Sequence, residues 1–212
     1  MYLVKKMNEM NEETMRKACQ DYEDKEGRAR YYDVAIEIAQ DHPLQASVII
    51  LAVWNVARFR FLSNEEYGET LDKLKETIEE GRLQFGGLKE KDFKTFDFDE
   101  IEKPIKEIYS KISGIEGVKN TGASKVMHLL NKDLFLMWDS YMRDEYGFSD
   151  KANEQGYFEY LKKIQGKVKN VELTMSNKTL PKIIDEFNFM EITFPRLEER
   201  KRKRVKKMPG IF

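Results

Sequence analysis

The chain has 212 residues, of which 41% are hydrophobic and 35% are charged. This length can bury one good core or two small lobes, and the hydrophobic fraction excludes an intrinsically disordered chain. The formal net charge of -1 argues against a general polyanion binder, although residues 196–207 are mostly basic and the rest of the chain is therefore acidic.

The N-terminal sequence MYLVKKMNEMNEET turns acidic before any apolar run of signal-peptide length. The longest apolar stretch, residues 46–57, is interrupted by Ser47 and Asn55. We therefore expect a cytoplasmic, intracellular protein with no export signal and no membrane span.

Few residues of the chain are suited to binding a metal or cofactor. The single cysteine, Cys19, permits neither an internal disulfide nor a thiolate iron–sulfur cluster. The two histidines, His42 and His128, lie too far apart to suggest zinc spacing. We expect no metal site and no cofactor.

Helical periodicity dominates the chain, and strand-like alternation is scarce. The segment 44–61 is apolar nearly all round, which predicts a helix buried on most of its faces. Only residues 171–175 and 190–194 have the pattern of short strands near the C-terminus. The predicted fold is all-α, with helices over residues 7–22, 31–40, 44–61, 65–80, 99–112, 121–130, 153–168 and 180–189.

A two-lobed arrangement is the predicted domain organisation. One lobe combines residues 1–43 with residues 148–212. The other lobe, residues 44–147, contains the central helix and the segment that carries the candidate chemistry.

That segment is GIEGVKNTGASKVMHLLNKDLFLMWDSYM, residues 114–142. It predicts a helix, a glycine-containing turn and a second helix that begins near Thr121. Glycines let a backbone approach a ligand closely, and a helix N-terminus presents unpaired N–H groups with the positive end of its dipole. Both features favour a phosphate site. The alternative is an ordinary turn between helices with a glycine stop.

The same segment resembles the helix-hairpin-helix DNA glycosylase superfamily, which includes endonuclease III and the 8-oxoguanine glycosylases. Residues 115–123 match the hairpin of that family, and residues 138–142 match the turn that carries its aspartate. The resemblance implies that the hairpin binds the backbone of double-stranded DNA and that Asp139 stabilises positive charge on the sugar. The implied DNA-binding hairpin residues are Gly117, Val118, Lys119, Asn120, Thr121 and Gly122.

Two positions depart from the family pattern. Lys119 replaces the second hairpin glycine, and Thr121 replaces the lysine nucleophile of bifunctional members. In monofunctional members water attacks the sugar, and Asp139 could support that reaction alone because it acts electrostatically. Alternatively, Lys125 replaces the missing lysine, because it lies one helical turn after Thr121 on the same face; otherwise Lys125 is an ordinary surface cation.

Further candidates come from the end of the central helix. Related glycosylases place a Gln or Asn there to fill the gap left by an extruded base, a role that Trp54 or Asn55 would have here. The alternative is that Trp54 belongs to the core and Asn55 is a polar residue at a helix end. The basic segment 196–207 either tracks phosphates or is a solvated end.

The sequence therefore predicts a DNA base-excision repair glycosylase that extrudes a damaged or mismatched base and hydrolyses its N-glycosidic bond. A monofunctional hydrolase is the main expectation, with lyase activity through Lys125 as a variant. A non-catalytic DNA- or partner-binding module that retains the fold is the alternative. The lesion and the oligomeric state are left open.

Overall fold

The computed structural model describes residues 9–62, 68–175 and 177–206, and this part of the chain has an all-α fold. Residues 7–8, residues 65–67 and residue 207, which belong to predicted segments, lie outside the described residues. The helices are α1 Glu12–Lys25, α2 Ala29–Ile38, α3 Pro43–Trp54, α4 Val56–Phe59, α5 Gly68–Phe85, α6 Glu102–Gly114, α7 Lys119–Leu130, α8 Ser140–Glu145, α9 Glu154–Val168, α10 Leu180–Asn188 and α11 Phe194–Lys206.

Side-chain caps explain where several helices begin. Asn11 and Thr14 form a reciprocal capping box at the start of α1. Asn153 caps α9, and Thr179 caps α10 with Pro181 in its first turn. The predicted helices over 153–168 and 180–189 are confirmed.

The predicted helix over residues 44–61 is divided at Asn55, which has φ -128° and ψ 31°. The side chain of Asn55 donates to the carbonyls of Gly117 and Val118, at 3.3 and 2.9 Å. The helix therefore breaks at the residue that bonds to the hairpin. Helical periodicity cannot predict this break, because the hairpin is distant in the sequence.

The helix predicted over residues 65–80 does not end before Gly81, because α5 continues to Phe85. A Cβ atom at Gly81 would lie 2.5 Å from Leu130 Cδ1. This glycine permits close packing of α5 against α7 instead of ending the helix.

Neither predicted strand forms. Residues 190–194 lie in a π-helical turn, Phe189–Thr193, and at the start of α11, so α10 and α11 are joined without a loop. Residues 171–175 are irregular, apart from an isolated bridge between Met175 and Lys178. A strand needs a partner along its length, and none is present in the described residues.

One large hydrophobic cluster contains buried residues from α1, α6, α7, α9 and α10. Trp138 is fully buried at its centre, and its indole Nε1 donates to the Tyr109 hydroxyl at 3.2 Å. Tyr109 stacks on Tyr157 with ring centroids 4.4 Å apart. These contacts fix the backbone directly before Asp139. The division into two lobes stays a prediction.

None of the helices in the described residues is long and apolar enough to cross a membrane.

Candidate active site

A pocket of about 220 Å³ lies where α2, α3, α7, α8 and the C-terminal helices meet. Both predicted catalytic residues, Asp139 and Lys125, line it. Thr121, which the resemblance aligns with the lysine nucleophile of bifunctional glycosylases, also lines this pocket. The other lining residues are Tyr22, Arg28, Tyr32, Ile50, Trp54, Met137, Trp138, Ser140, Tyr141, Met142, Lys182, Asp185, Phe189, Thr193 and Leu197.

Asp139 is the N-cap of α8 and is half-buried. Its Oδ1 accepts a hydrogen bond from the Met142 amide at 2.9 Å. Its Oδ2 accepts from the Thr193 hydroxyl at 2.6 Å. The aspartate therefore caps its helix while its carboxylate remains at the pocket, so capping does not prevent the charge-stabilising role that the resemblance implies.

Lys125 is buried in the pocket wall and only 9% exposed. The side-chain amine of Lys125 makes no hydrogen bond or ion pair with any of the described residues. Burial lowers the pKa of its amine below the usual value, and the nearby carboxylates of Asp185 and Asp139 partly oppose that effect. Lys125 is thus not a surface cation: it is a partly desolvated amine, the state that favours nucleophilic reactivity in lysine.

Three further charged side chains in the pocket, Arg28, Lys182 and Asp185, were not predicted as site residues. The Lys182 amine lies 3.4 Å from Asp185 Oδ2, and also 4.6 and 4.3 Å from the ring centroids of Tyr22 and Tyr32. Burial acts against the charged form of Lys182, but Asp185 and its other partners raise the pKa overall. Lys182 therefore stays charged beside the amine of Lys125.

The Tyr32 ring is held in the pocket wall by His128. The His128 Nδ1–H donates to the Phe135 carbonyl at 2.6 Å, which leaves Nε2 to accept from the Tyr32 hydroxyl at 2.8 Å. Burial lowers the pKa of His128 to about 4, against a weaker opposing effect of the Phe135 carbonyl. His128 is therefore a neutral residue that supports the pocket wall.

The hairpin glycines serve packing in this fold. A Cβ atom at Gly117 would lie 2.4 Å from Leu62 Cγ. One at Gly122 would lie 2.8 Å from both Leu51 Cδ2 and Asn55 Nδ2. Both glycines are buried, and the lack of a side chain at each lets the hairpin pack closely against the α3–α4 corner. The sequence instead predicted that they allow a phosphate to approach the backbone.

The remaining hairpin residues have separate environments. Lys119 has a left-handed φ of 55°, and its amine pairs with Glu116 at 2.5 Å. Val118 is buried in the core, and the Asn120 carbonyl accepts from the Tyr109 hydroxyl at 3.0 Å. The Thr121 hydroxyl accepts from Arg143 at 3.2 Å. Lys119 is thus the one cationic side chain among residues 117–122, and its amine is already paired with a carboxylate.

We expect Gly122→Ala to lower the free energy of unfolding by about 1–3 kcal/mol, because the added methyl overpacks the contact with α3. Urea or thermal unfolding measures the change. The matched control is Gly166→Ala in α9, where a Cβ atom meets nothing within 4 Å. An equal loss in both variants would show that packing against α3 is not the cause.

Trp54 and Asn55, the two candidates for filling the gap in an opened duplex, are separated by the structure. Trp54 is half-buried and lines the pocket, and its ring centroid lies 5.8 Å from Cζ of the Arg28 guanidinium. The amide of Asn55 is engaged by the hairpin carbonyls. Of the two, Trp54 alone presents its side chain to the pocket.

A second pocket of about 370 Å³ lies at the opposite end of α7, around residues 129–133. Although larger, it is lined by charged side chains that are exposed or half-buried, whereas Lys125, Lys182 and Asp185 of the first pocket are buried. Arg82 donates to the Gln40 carbonyl at 2.9 Å, and Lys132 pairs with Asp133 at 3.1 Å. The smaller pocket contains two carboxylates and a buried amine that has no partner among the described residues, and it is therefore the candidate active site.

No group of three or more His, Cys, Asp or Glu side chains suited to a metal ion occurs within the described ranges. Comparison with known proteins gives no match to any family model, curated protein or solved structure. A functional proposal therefore rests on the geometry of the pocket together with the resemblance described from the sequence.

Proposed function

We propose that this protein is a DNA glycosylase that extrudes a damaged or mismatched base and hydrolyses its N-glycosidic bond. The observation that carries the proposal is the position of Asp139. Its carboxylate is fixed by two hydrogen bonds at the wall of a pocket that also contains aromatic side chains. A fixed carboxylate beside a developing oxocarbenium ion lowers its energy electrostatically.

The pocket has groups suited to holding an extruded base. Trp54, Tyr32 and Phe189 offer aromatic surface for stacking, whereas Lys182 and Asp185 offer a donor and an acceptor for a base edge. Water is the proposed nucleophile. Asp139 orients that water and stabilises the positive charge on the sugar as the bond to the base breaks.

The surface beside the pocket supplies positive charge for DNA. Leu197 of α11 lines the pocket, and Arg200, Lys201 and Arg202 follow as exposed residues. Such cations bind phosphates without sequence preference, and the resulting affinity falls with increasing salt. We therefore assign α11, together with Lys119 of the hairpin, to the duplex backbone.

The function is tested by incubating the purified protein with duplexes that carry 8-oxoguanine, uracil, hypoxanthine, alkylated purines or single mismatches. Strand cleavage after hot alkali, but not before it, would support a monofunctional glycosylase. If every duplex stays intact while salt-sensitive binding is retained, the glycosylase proposal fails and the non-catalytic binding module takes its place.

A second candidate activity is an abasic-site lyase that uses Lys125. It is favoured by the burial of this amine in the pocket, by the absence of a partner among the described residues, and by its lowered pKa. The neutral amine would attack the C1′ carbon of the abasic sugar, and loss of water would leave an imine that borohydride reduces.

We expect borohydride to trap a covalent adduct between abasic DNA and the wild-type protein, and Lys125→Met to abolish it. Gel mobility with mass spectrometry of the modified peptide measures the adduct. Lys111→Met is the control, because Lys111 is exposed and ion-paired with Glu80 on α5. Trapping that persists in Lys125→Met would exclude this lysine as the nucleophile.

A further inference from the structure

Asp139 has one more hydrogen bond than helix capping requires. The Met142 amide on Oδ1 completes the cap of α8. The second donor, Thr193, comes from a segment 54 positions later in the chain. Thr193 is only 5% exposed and lines the pocket beside Asp139.

The π-helical turn Phe189–Thr193 helps to bring this hydroxyl to the pocket. In an α-helix, residues four positions apart differ in direction by about 40° around the helix axis. Successive side chains at this spacing therefore turn progressively away from a given neighbour. A π-turn contains more residues per turn and reduces that drift; such turns occur frequently at functional sites. The pocket-lining positions across it are Lys182, Asp185, Phe189, Thr193 and Leu197.

The two donors together restrict the carboxylate. The torsion that rotates an aspartate carboxylate has a broad, roughly two-fold profile and is poorly fixed on its own. A single hydrogen bond to Oδ1 leaves the plane of the group able to pivot. A second bond to Oδ2, from a buried hydroxyl on a different helix, removes that freedom.

We propose that Thr193 is a positioning residue that fixes the plane of the Asp139 carboxylate toward the sugar of the extruded nucleotide. The catalytic consequence rests on the proposed glycosylase function. The orientation of the carboxylate does not, because it is measurable without any substrate.

The test compares Thr193→Val, which removes the hydroxyl and keeps the branched shape, with Thr193→Ser, which keeps the hydroxyl. We expect Thr193→Val to lower the single-turnover excision rate by about tenfold with unchanged duplex affinity, and Thr193→Ser to restore most of the rate. Thr77→Val is the control, since it removes a buried hydroxyl that donates to the Lys73 carbonyl within α5. Wild-type excision by Thr193→Val, or no restoration by serine, overturns the proposal.

Amide hydrogen exchange at Met142 provides the readout that needs no activity. If Thr193 fixes the carboxylate, the Met142 amide exchanges faster in Thr193→Val, but not in Thr193→Ser or Thr77→Val. Should no duplex be a substrate, the glycosylase proposal fails while this measurement still decides the role of Thr193. Unchanged exchange at Met142 in Thr193→Val overturns the positioning role. Thr193→Ala gives the same comparison should the valine variant not fold.

Discussion

Replacing Asp139 with Asn is expected to slow base excision by roughly 100- to 1,000-fold while duplex binding is retained. Asn is as good an N-cap as Asp, so the start of α8 is preserved. The variant loses the negative charge beside the developing positive charge of the sugar, and its amide nitrogen donates to the Thr193 hydroxyl where the carboxylate accepted from it. Single-turnover excision on the best duplex of the panel, together with a binding titration, measures the two effects separately.

The matched control is Asp97→Asn, because Asp97 also caps a helical turn, at Phe98–Ile101, and does not line the pocket. This variant should excise at the wild-type rate. Full activity in Asp139→Asn would assign the carboxylate to capping alone, and the pocket would then need another source of charge stabilisation.

The second large effect concerns the pH dependence of stability through His128. Burial holds the pKa of this imidazole at about 4, below its ordinary value of 6.5, so the folded state takes up its proton later than the unfolded state does. Above about pH 6.5 this group therefore leaves the free energy of unfolding unchanged. As the pH falls from 6.5 toward 4, the free energy of unfolding decreases. The expected loss is on the order of 3 kcal/mol.

Urea unfolding between pH 7 and pH 4 measures this loss. His128→Asn retains a donor for the Phe135 carbonyl and cannot take up the proton, so its stability curve should be flatter by that amount, whatever its stability at pH 7. The exposed His42→Asn is the control and should keep the slope of the wild type. Equal slopes in all three proteins would show that His128 is not the group responsible.

The sequence predicted those features of the fold that depend on residues close together in the chain. Helical periodicity predicted an all-α fold, and the structure confirms the helices predicted over residues 153–168 and 180–189. The one-turn spacing of Thr121 and Lys125 placed them on the same face, and both line the pocket. These predictions succeeded because each depends on residues within a few turns of one another.

The rest depends on contacts between distant segments. Lys182 and Asp185 reach the pocket because α10 packs against α1, which also brings Lys182 over the Tyr32 ring of α2, and no local pattern gives that placement. One signal was present: charged residues punctuate the otherwise apolar run LPKIIDEFNF, residues 180–189. Likewise, the alternation over residues 190–194 suggested a strand, whereas continuation from α10 gives a π-helical turn.

The hydrogen bonds to Asp139 leave it with spare acceptor capacity. An ionised carboxylate has about four lone-pair positions. The Met142 amide and the Thr193 hydroxyl each use one, on different oxygens. A water molecule or a sugar hydroxyl can therefore bond to either oxygen without displacing a protein donor. The carboxylate need not break an existing bond to act, which is the condition under which a charged group stabilises a transition state at little reorganisation cost.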